Sequence, residues 1–203
     1  KPARYVGGEF NAIMKHKSKV DTRVAFCFPD TYEIGMSNIG MRILYGLMNE
    51  LPGVWCERVF APWGDMEQAM RDNSLPLWAL ESQTPVREFD MIAFTIGYEM
   101  AYSNILNMLN LAGVPLRSKD RQGLKNIVFA GGVCAFNPEP LADFIDFFSL
   151  GEGEDITVEI LQLYDRAKAE RWSKDAFLHE AAKIPGVYVP SFYRHEYLSL
   201  IHI

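Results

Sequence analysis

The chain has 203 residues, 49% of them hydrophobic, with 20 Lys plus Arg against 26 Asp plus Glu for a net charge of -6. This is enough apolar material for one domain with a buried core, and the scattered basic residues exclude nucleic-acid binding through a cationic surface. No run approaches the roughly 20 continuous apolar residues of a membrane span, and Cys27, Cys56 and Cys134, odd in number and far apart, exclude a disulfide framework.

Residues 1–22 are polar and basic, with Gly7-Gly8 and Lys15, Lys17 and Lys19, and read as a leader lying over the domain. Short apolar runs of strand length follow at 23–28, 54–60, 90–96, 126–131 and 146–150. Segments of helical period separate most of them. The spacing predicts a helix over 37–50, with Ile39, Ile43, Leu44, Leu47 and Met48 along its inner face, and an acidic one over 64–72 with Met66, Ala69 and Met70 inward. Leu77-Trp78-Ala79-Leu80 is a further strand or an extended connection. A helix over 100–112, carrying Ile105, Leu106, Met108, Leu109 and Leu111, stops at Gly113 and Pro115. Helices over 153–170 and 173–183 and an extended exit at 186–190 complete the pattern.

Apolar strands alternating with helices specify a doubly wound α/β domain with a mainly parallel, five-stranded sheet and right-handed crossovers. Its expected span is 23–170, with 171–203 as a linker. The chain opens on Lys1-Pro2 and closes on the apolar run Leu198-Ser199-Leu200-Ile201-His202-Ile203. These ends read as those of a piece of a longer polypeptide, or of one with foreign residues at its end. With no signal peptide pattern and with reduced thiols, the cytoplasm is the expected compartment.

In such a sheet the loops at the carboxyl ends of the strands converge on one edge, where ligands bind. Four of them stand out: Asp30-Thr31-Tyr32-Glu33-Ile34-Gly35, Thr95-Ile96-Gly97-Tyr98-Glu99, Gly131-Gly132-Val133-Cys134 and Gly151-Glu152-Gly153-Glu154. Glycine there lets backbone amides approach a ligand, although each loop taken singly also reads as the tight turn leaving a strand. Asp30 and Glu33 form an acid pair or, more simply, Asp30 shapes the turn. Glu152 and Glu154 suit a helix start, and Cys134 suits a buried thiol. The four histidines, His16, His179, His195 and His202, lie away from this edge without metal-site spacing. No residue is assigned as catalytic and none as a metal ligand. Trp55, Trp63, Trp78 and Trp172 read as core or interface residues.

Asp30-x-Tyr32-x-x-Gly35, followed by Met36-Ser37-Asn38-Ile39-Gly40, resembles the first loop and helix of cobalamin-binding domains, with tyrosine where their Asp-x-His-x-x-Gly loop carries the cobalt-ligating histidine. Phe94-Thr95-Ile96-Gly97 takes the place of their Ser-x-Leu motif, and Gly131-Gly132 that of the paired glycines bordering the nucleotide tail. Gly131-Gly132-x4-Asn137-Pro138-Glu139, Asp146 and Gly151-Glu152-Gly153-Glu154 are similar to the amino-terminal domain of cobalamin-binding-domain radical SAM proteins. The leader Pro2-Ala3-Arg4-Tyr5-Val6-Gly7-Gly8-Glu9 and Cys56-Glu57-Arg58-Val59-Phe60-Ala61-Pro62-Trp63 resemble a branch of that family of unassigned activity. The resemblance covers residues 2–197.

The resemblance implies a flavodoxin-like fold and a cobalamin site built from Asp30, Thr31, Tyr32, Gly35, Thr95, Ile96, Gly97, Tyr98, Glu99, Gly131, Gly132, Val133, Glu152 and Gly153. A phenol with an ordinary pKa near 10 rarely replaces imidazole as a cobalt ligand, so the implied binding is without histidine, the nucleotide tail entering a slot beside Gly131 and Gly132. A downstream radical SAM domain would carry the 4Fe-4S cluster and S-adenosylmethionine and would be this chain's partner. The chain alone is not expected to perform radical chemistry. Two other readings stay open: a ligand-free interaction domain docking on the radical SAM barrel, with Tyr32 sealing the loop, and a nucleotide or flavin domain. The last lacks a Gly-x-Gly-x-x-Gly run after the first strand.

Overall fold

A computed structural model describes residues 2–194. His195, His202 and the apolar tail at 198–203 lie outside the described residues. Strands β1 (Thr22–Phe28), β2 (Val54–Phe60), β3 (Met91–Thr95), β4 (Ile127–Gly131) and β5 (Phe147–Ser149) fall within one residue of the expected runs at either end. They form a parallel sheet in the flavodoxin-like order β2-β1-β3-β4-β5. A sixth strand, β6 (Val187–Tyr188), joins β5 antiparallel, so the sheet has six strands where the apolar runs predict five. These residues lie in the extended exit expected at 186–190; that they join the sheet is decided by pairing with β5.

The helices are α1 (Tyr32–Ser37), α2 (Ile39–Glu50), α3 (Gly64–Asp72), α4 (Tyr102–Ala112), α5 (Gly153–Ala169) and α6 (Lys174–Ala181). Strand side chains alternate between the two faces. Along β1, Val24, Phe26 and Phe28 face α2, α5 and α6, whereas Ala25 and Cys27 face α3 and α4. Each face therefore has its own apolar core, which is what a sheet buried on both sides requires. The segment read as a linker contributes to the first core: the fully buried Phe177 of α6 meets Tyr164 at 5.6 Å and Phe147 at 6.2 Å between ring centroids.

The start of the 37–50 helix differs from its sequence pattern. Helix begins at Tyr32, breaks at Asn38 (φ -74, ψ 121), and restarts as α2, with Asn38 Oδ1 accepting from the Met41 amide at 2.8 Å. The buried stripe of α2 is Met41, Tyr45, Met48 and Asn49, while Ile39 and Ile43 are 69% and 48% exposed. Two overlapping stripes are readable in this segment; the leader selects one, because Tyr45 Oη accepts the Ile13 amide at 2.7 Å. In α3, Met70 is buried as expected, whereas Ala69, also expected inward, is exposed.

The exposed edge of β2 is covered rather than left open to pairing. The Leu80 amide donates to the Arg58 carbonyl at 2.8 Å, and the Arg58 amide to Glu81 Oε2 at 2.7 Å. Leader residues add to this cover, with Trp55 Nε1 donating to the Ile13 carbonyl at 3.0 Å and Trp78 Nε1 to that of Tyr5 at 3.2 Å.

Candidate functional site

The chain leaves β1 toward one side of the sheet and β3 toward the other, so their carboxyl ends flank a crevice. Across it the Tyr98 hydroxyl donates to Asp30 Oδ2, and Asp30 Oδ1 accepts the Thr31 amide at 2.6 Å. The hydrogen bond to Asp30, with some burial, raises the Tyr98 pKa to about 12. Asp30 is thus a loop organiser, and it does not pair with Glu33, whose carboxylate binds Arg4 at 2.6 Å. Thr31 sits at the cap of α1 without a side-chain capping bond.

Tyr32 and Gly35 are occupied by the protein itself. The Tyr32 ring packs edge-on to Phe60 at 5.5 Å, and its hydroxyl donates to Glu9 Oε1 of the leader at 3.0 Å. Burial, then the Glu9 contact, raises the Tyr32 pKa. Gly35 is buried so closely on Phe60 that a Cβ would lie 2.3 Å from Cε1 of that ring. Both residues anchor α1 and the leader.

The loops after β3 and β4 interlock through their backbones. The Ile96 amide donates to the Gly131 carbonyl at 2.7 Å, and the Ile96 carbonyl accepts the Cys134 amide at 3.1 Å. Gly132, at φ 101, brings its Cα against this strand end, where a Cβ would stand 2.7 Å from the Ile96 oxygen. Between the sheet and helices α2 and α5, these loops border a slot of 190 Å³. Its lining combines Phe26, Leu44, Met48, Ala93 and Phe129 with Gly131 and Gly153 and with the polar Thr95, Ser149, Glu154 and Thr157. A cavity of about 150 Å³ admits a benzene ring, so this slot has room for a planar aromatic group. The Ser149 hydroxyl, in a residue 6% exposed, has no hydrogen-bond partner.

The rim outside the slot is apolar. Met100, Val133 and Phe136 are 85%, 73% and 69% exposed. Gly97, Glu99 and Glu152 are also exposed, and nothing lies within 4 Å of a Cβ placed on Gly97. Glu152 occupies the cap position of α5 but makes no side-chain capping bond; Glu154 and Asp155 supply the acidic first turn. Burial, with Glu99 nearby, raises the Cys134 pKa, so its thiol is not activated.

A larger groove, 850 Å³, opens at the opposite, amino edge, lined by Arg117, Arg121, Asp143 and Lys174 among others. Its cations are held by carboxylates: Arg117 by Asp143 at 2.7 Å, Arg121 and Lys174 by Asp146 at 3.0 and 2.7 Å. We place the candidate site in the smaller slot, because it lies at the edge where open α/β sheets bind ligands and because its buried hydroxyl is unbonded. Among the described residues, no His, Cys, Asp and Glu gather in a group of three or more that could hold a metal ion, and no helix is long and apolar enough to cross a membrane.

Residues 40–190 match the family described as the amino-terminal region of radical SAM proteins. This chain belongs to that family. The radical SAM amino-terminal domain is also 26% identical over 148 residues to an uncharacterized protein of Methanocaldococcus jannaschii, an alignment covering 70% of this chain and 27% of that protein. The chain thus spans about a quarter of that relative's length. The family match takes in the slot's lining from Gly40 to Thr157, whereas Phe26 and the loop from Asp30 to Gly35 precede it.

Of the expected site residues, the domain gathers Thr95, Gly131, Gly132 and Gly153 at the slot, joins Asp30 to Tyr98, and turns Tyr32 and Gly35 inward. The sequence pattern missed Leu44, Ser149 and Thr157. Ser149 had a signal: a lone polar residue ends the apolar strand at the carboxyl edge.

Proposed function

We propose that this domain holds a cobalamin by its nucleotide tail, without histidine ligation to cobalt, as the amino-terminal module of a longer radical SAM protein. The observation that carries this reading is the slot: a largely apolar cavity of ring size beside Gly131 and Gly132, opening at the carboxyl edge and containing an unbonded buried hydroxyl. Leu44 of α2 and Gly153 of α5 would hold the tail's base between them, and the exposed Val133, Phe136 and Met100 would offer the corrin an apolar rest. A bound corrinoid supplies a cobalt centre; the chain's own residues bind and orient it. Tyr32, facing Phe60 and Glu9, contributes no ligand to cobalt. The 4Fe-4S cluster and S-adenosylmethionine belong to a downstream domain, this domain's partner, and the cytoplasm is the compartment proposed.

The test is to incubate the purified chain with hydroxocobalamin and separate it by gel filtration. Corrin absorption is expected to elute with the wild-type protein and to be lost from Gly131→Leu, whose side chain enters the slot. If wild type retains no corrin absorption, this reading is overturned in favour of the ligand-free docking domain, to which the exposed apolar rim also lends itself.

A further inference from the structure

Four buried side-chain atoms among the described residues lack a hydrogen-bond partner: Glu9 Oε2, Arg58 Nη2, Arg121 Nε and Ser149 Oγ. Three of them belong to groups whose other atoms are bonded. Glu9 Oε1 accepts from Tyr32, Arg58 Nε donates to Glu81 at 2.6 Å, and the Arg121 terminal nitrogens reach Pro115, Leu116, Phe144 and Asp146. Ser149 has only one polar side-chain atom, and it is the one left alone. An unmet buried hydroxyl costs about 1–3 kcal/mol, so its retention inside an apolar slot calls for a partner that arrives from outside.

The neighbourhood says what that partner can be. The backbone of Ser149 is engaged in β5 and in the β6 pairing opposite Val187, which holds the side chain in place. Across from it stands Gly131, where a Cβ would already touch Ser149, at 3.5 Å from its carbonyl oxygen and 4.0 Å from Oγ, so the glycine keeps that side of the hydroxyl uncovered. The surrounding Phe26, Ala93, Phe129 and Leu44 are apolar, and Thr95, Glu154 and Thr157 supply the other polar side chains of the lining, none of them with a buried unbonded atom. A serine hydroxyl facing a flat apolar slot can donate to an unprotonated ring nitrogen in the plane of an aromatic group.

We infer that Ser149 is a specificity-determining residue, selecting corrinoids whose lower base is a heteroaromatic with a free ring nitrogen over those whose base is a phenol. This rests on the reading of the slot as the site of the corrinoid tail. A phenolic base, attached through its oxygen, fills the slot but offers no ring nitrogen, leaving Oγ unmet as it is without ligand. Cobinamide, which lacks a base, leaves the slot empty.

The experiment is a titration of the full chain with cobalamin, a phenolic-base cobamide and cobinamide, read by quenching of tryptophan fluorescence and by equilibrium dialysis. Wild type is expected to bind cobalamin about 10-fold more tightly than the phenolic cobamide, equivalent to about 1.4 kcal/mol, and cobinamide more weakly than either. Ser149→Ala is expected to bring the first ratio to within about twofold of one while leaving affinity for the phenolic cobamide unchanged. Its ligand-free melting temperature should equal or exceed that of wild type, because no bond is lost. An unchanged ratio in Ser149→Ala overturns the inference while the cobalamin reading stands, whereas cobinamide binding as tight as cobalamin overturns both the inference and the reading of the slot as the tail's site. Failure of wild type to bind any of the three overturns both.

Discussion

The two edges of the sheet are built on opposite terms. At the amino edge polar groups are paired: Asp90 accepts the Arg23 amide at 2.8 Å and Lys168 at 2.9 Å, and the fully buried Asp146 takes the Val128 amide, Arg121 and Lys174. At the carboxyl edge Ser149 Oγ has no partner, and large apolar side chains stand in solvent. Apart from Arg121 Nε, one edge meets its hydrogen-bonding and burial requirements from within the chain; the other leaves its only buried serine hydroxyl unmet and large apolar side chains uncovered. The larger groove lies on the satisfied edge, which teaches that cavity size alone is a poorer guide to a site than unmet bonding capacity.

The strongest way to break this comparison is Asp146→Ala, which strands the buried Arg121 and removes a partner of the partly buried Lys174. A loss of about 3–5 kcal/mol is expected in urea unfolding, with corrin retention by the folded fraction unchanged; a loss below about 1 kcal/mol would remove the amino edge's claim to stability. Gly132→Ala tests whether the carboxyl edge also contains structural positions. Its positive φ and the approach to the Ile96 oxygen predict a loss of about 2–3 kcal/mol in the same assay.

Tyr32→Phe removes one partly buried hydrogen bond and should cost about 1 kcal/mol without altering corrin retention. Tyr32→His sharpens the point: since the ring at this position faces Phe60, the visible spectrum of bound hydroxocobalamin should match that of wild type. A histidine-ligated spectrum would show that the loop opens on binding.

The smallest change in stability is expected for Asp30→Asn, at the exposed crevice. Its signature is in titration. The Tyr98 pKa is raised from 10.0 to about 12 in the folded state chiefly by Asp30, so the stability it contributes is present below the unfolded pKa and is lost as pH rises through about 12. In Asp30→Asn the Tyr98 midpoint should fall toward 10, as read by ultraviolet difference titration of tyrosinate against wild type. A midpoint that stays near 12 would mean that burial, not Asp30, holds the proton.

Much of the fold was legible because its signals are local. Continuous apolar runs marked β1 to β5, and the helical periods of α4 and α5 placed Ile105, Met108, Leu109, Ile156 and Ile160 in the core. Glycines at the strand ends marked the edge where the slot lies. The most recognisable motif, Asp30 to Gly35, was the least informative about open space, since its tyrosine and glycine are consumed by Glu9 and Phe60.

By itself, then, the sequence determined the α/β class, the strand positions and the edge at which glycine loops gather, all properties that follow from residues adjacent along the chain. Only the tertiary structure decided which stripe of α2 is buried, that Tyr32 turns toward the leader, that β6 extends the sheet, and that Ser149 is left without a partner. Each of these depends on groups brought together from distant segments, and whether a polar atom is satisfied is known only once every neighbour is in place.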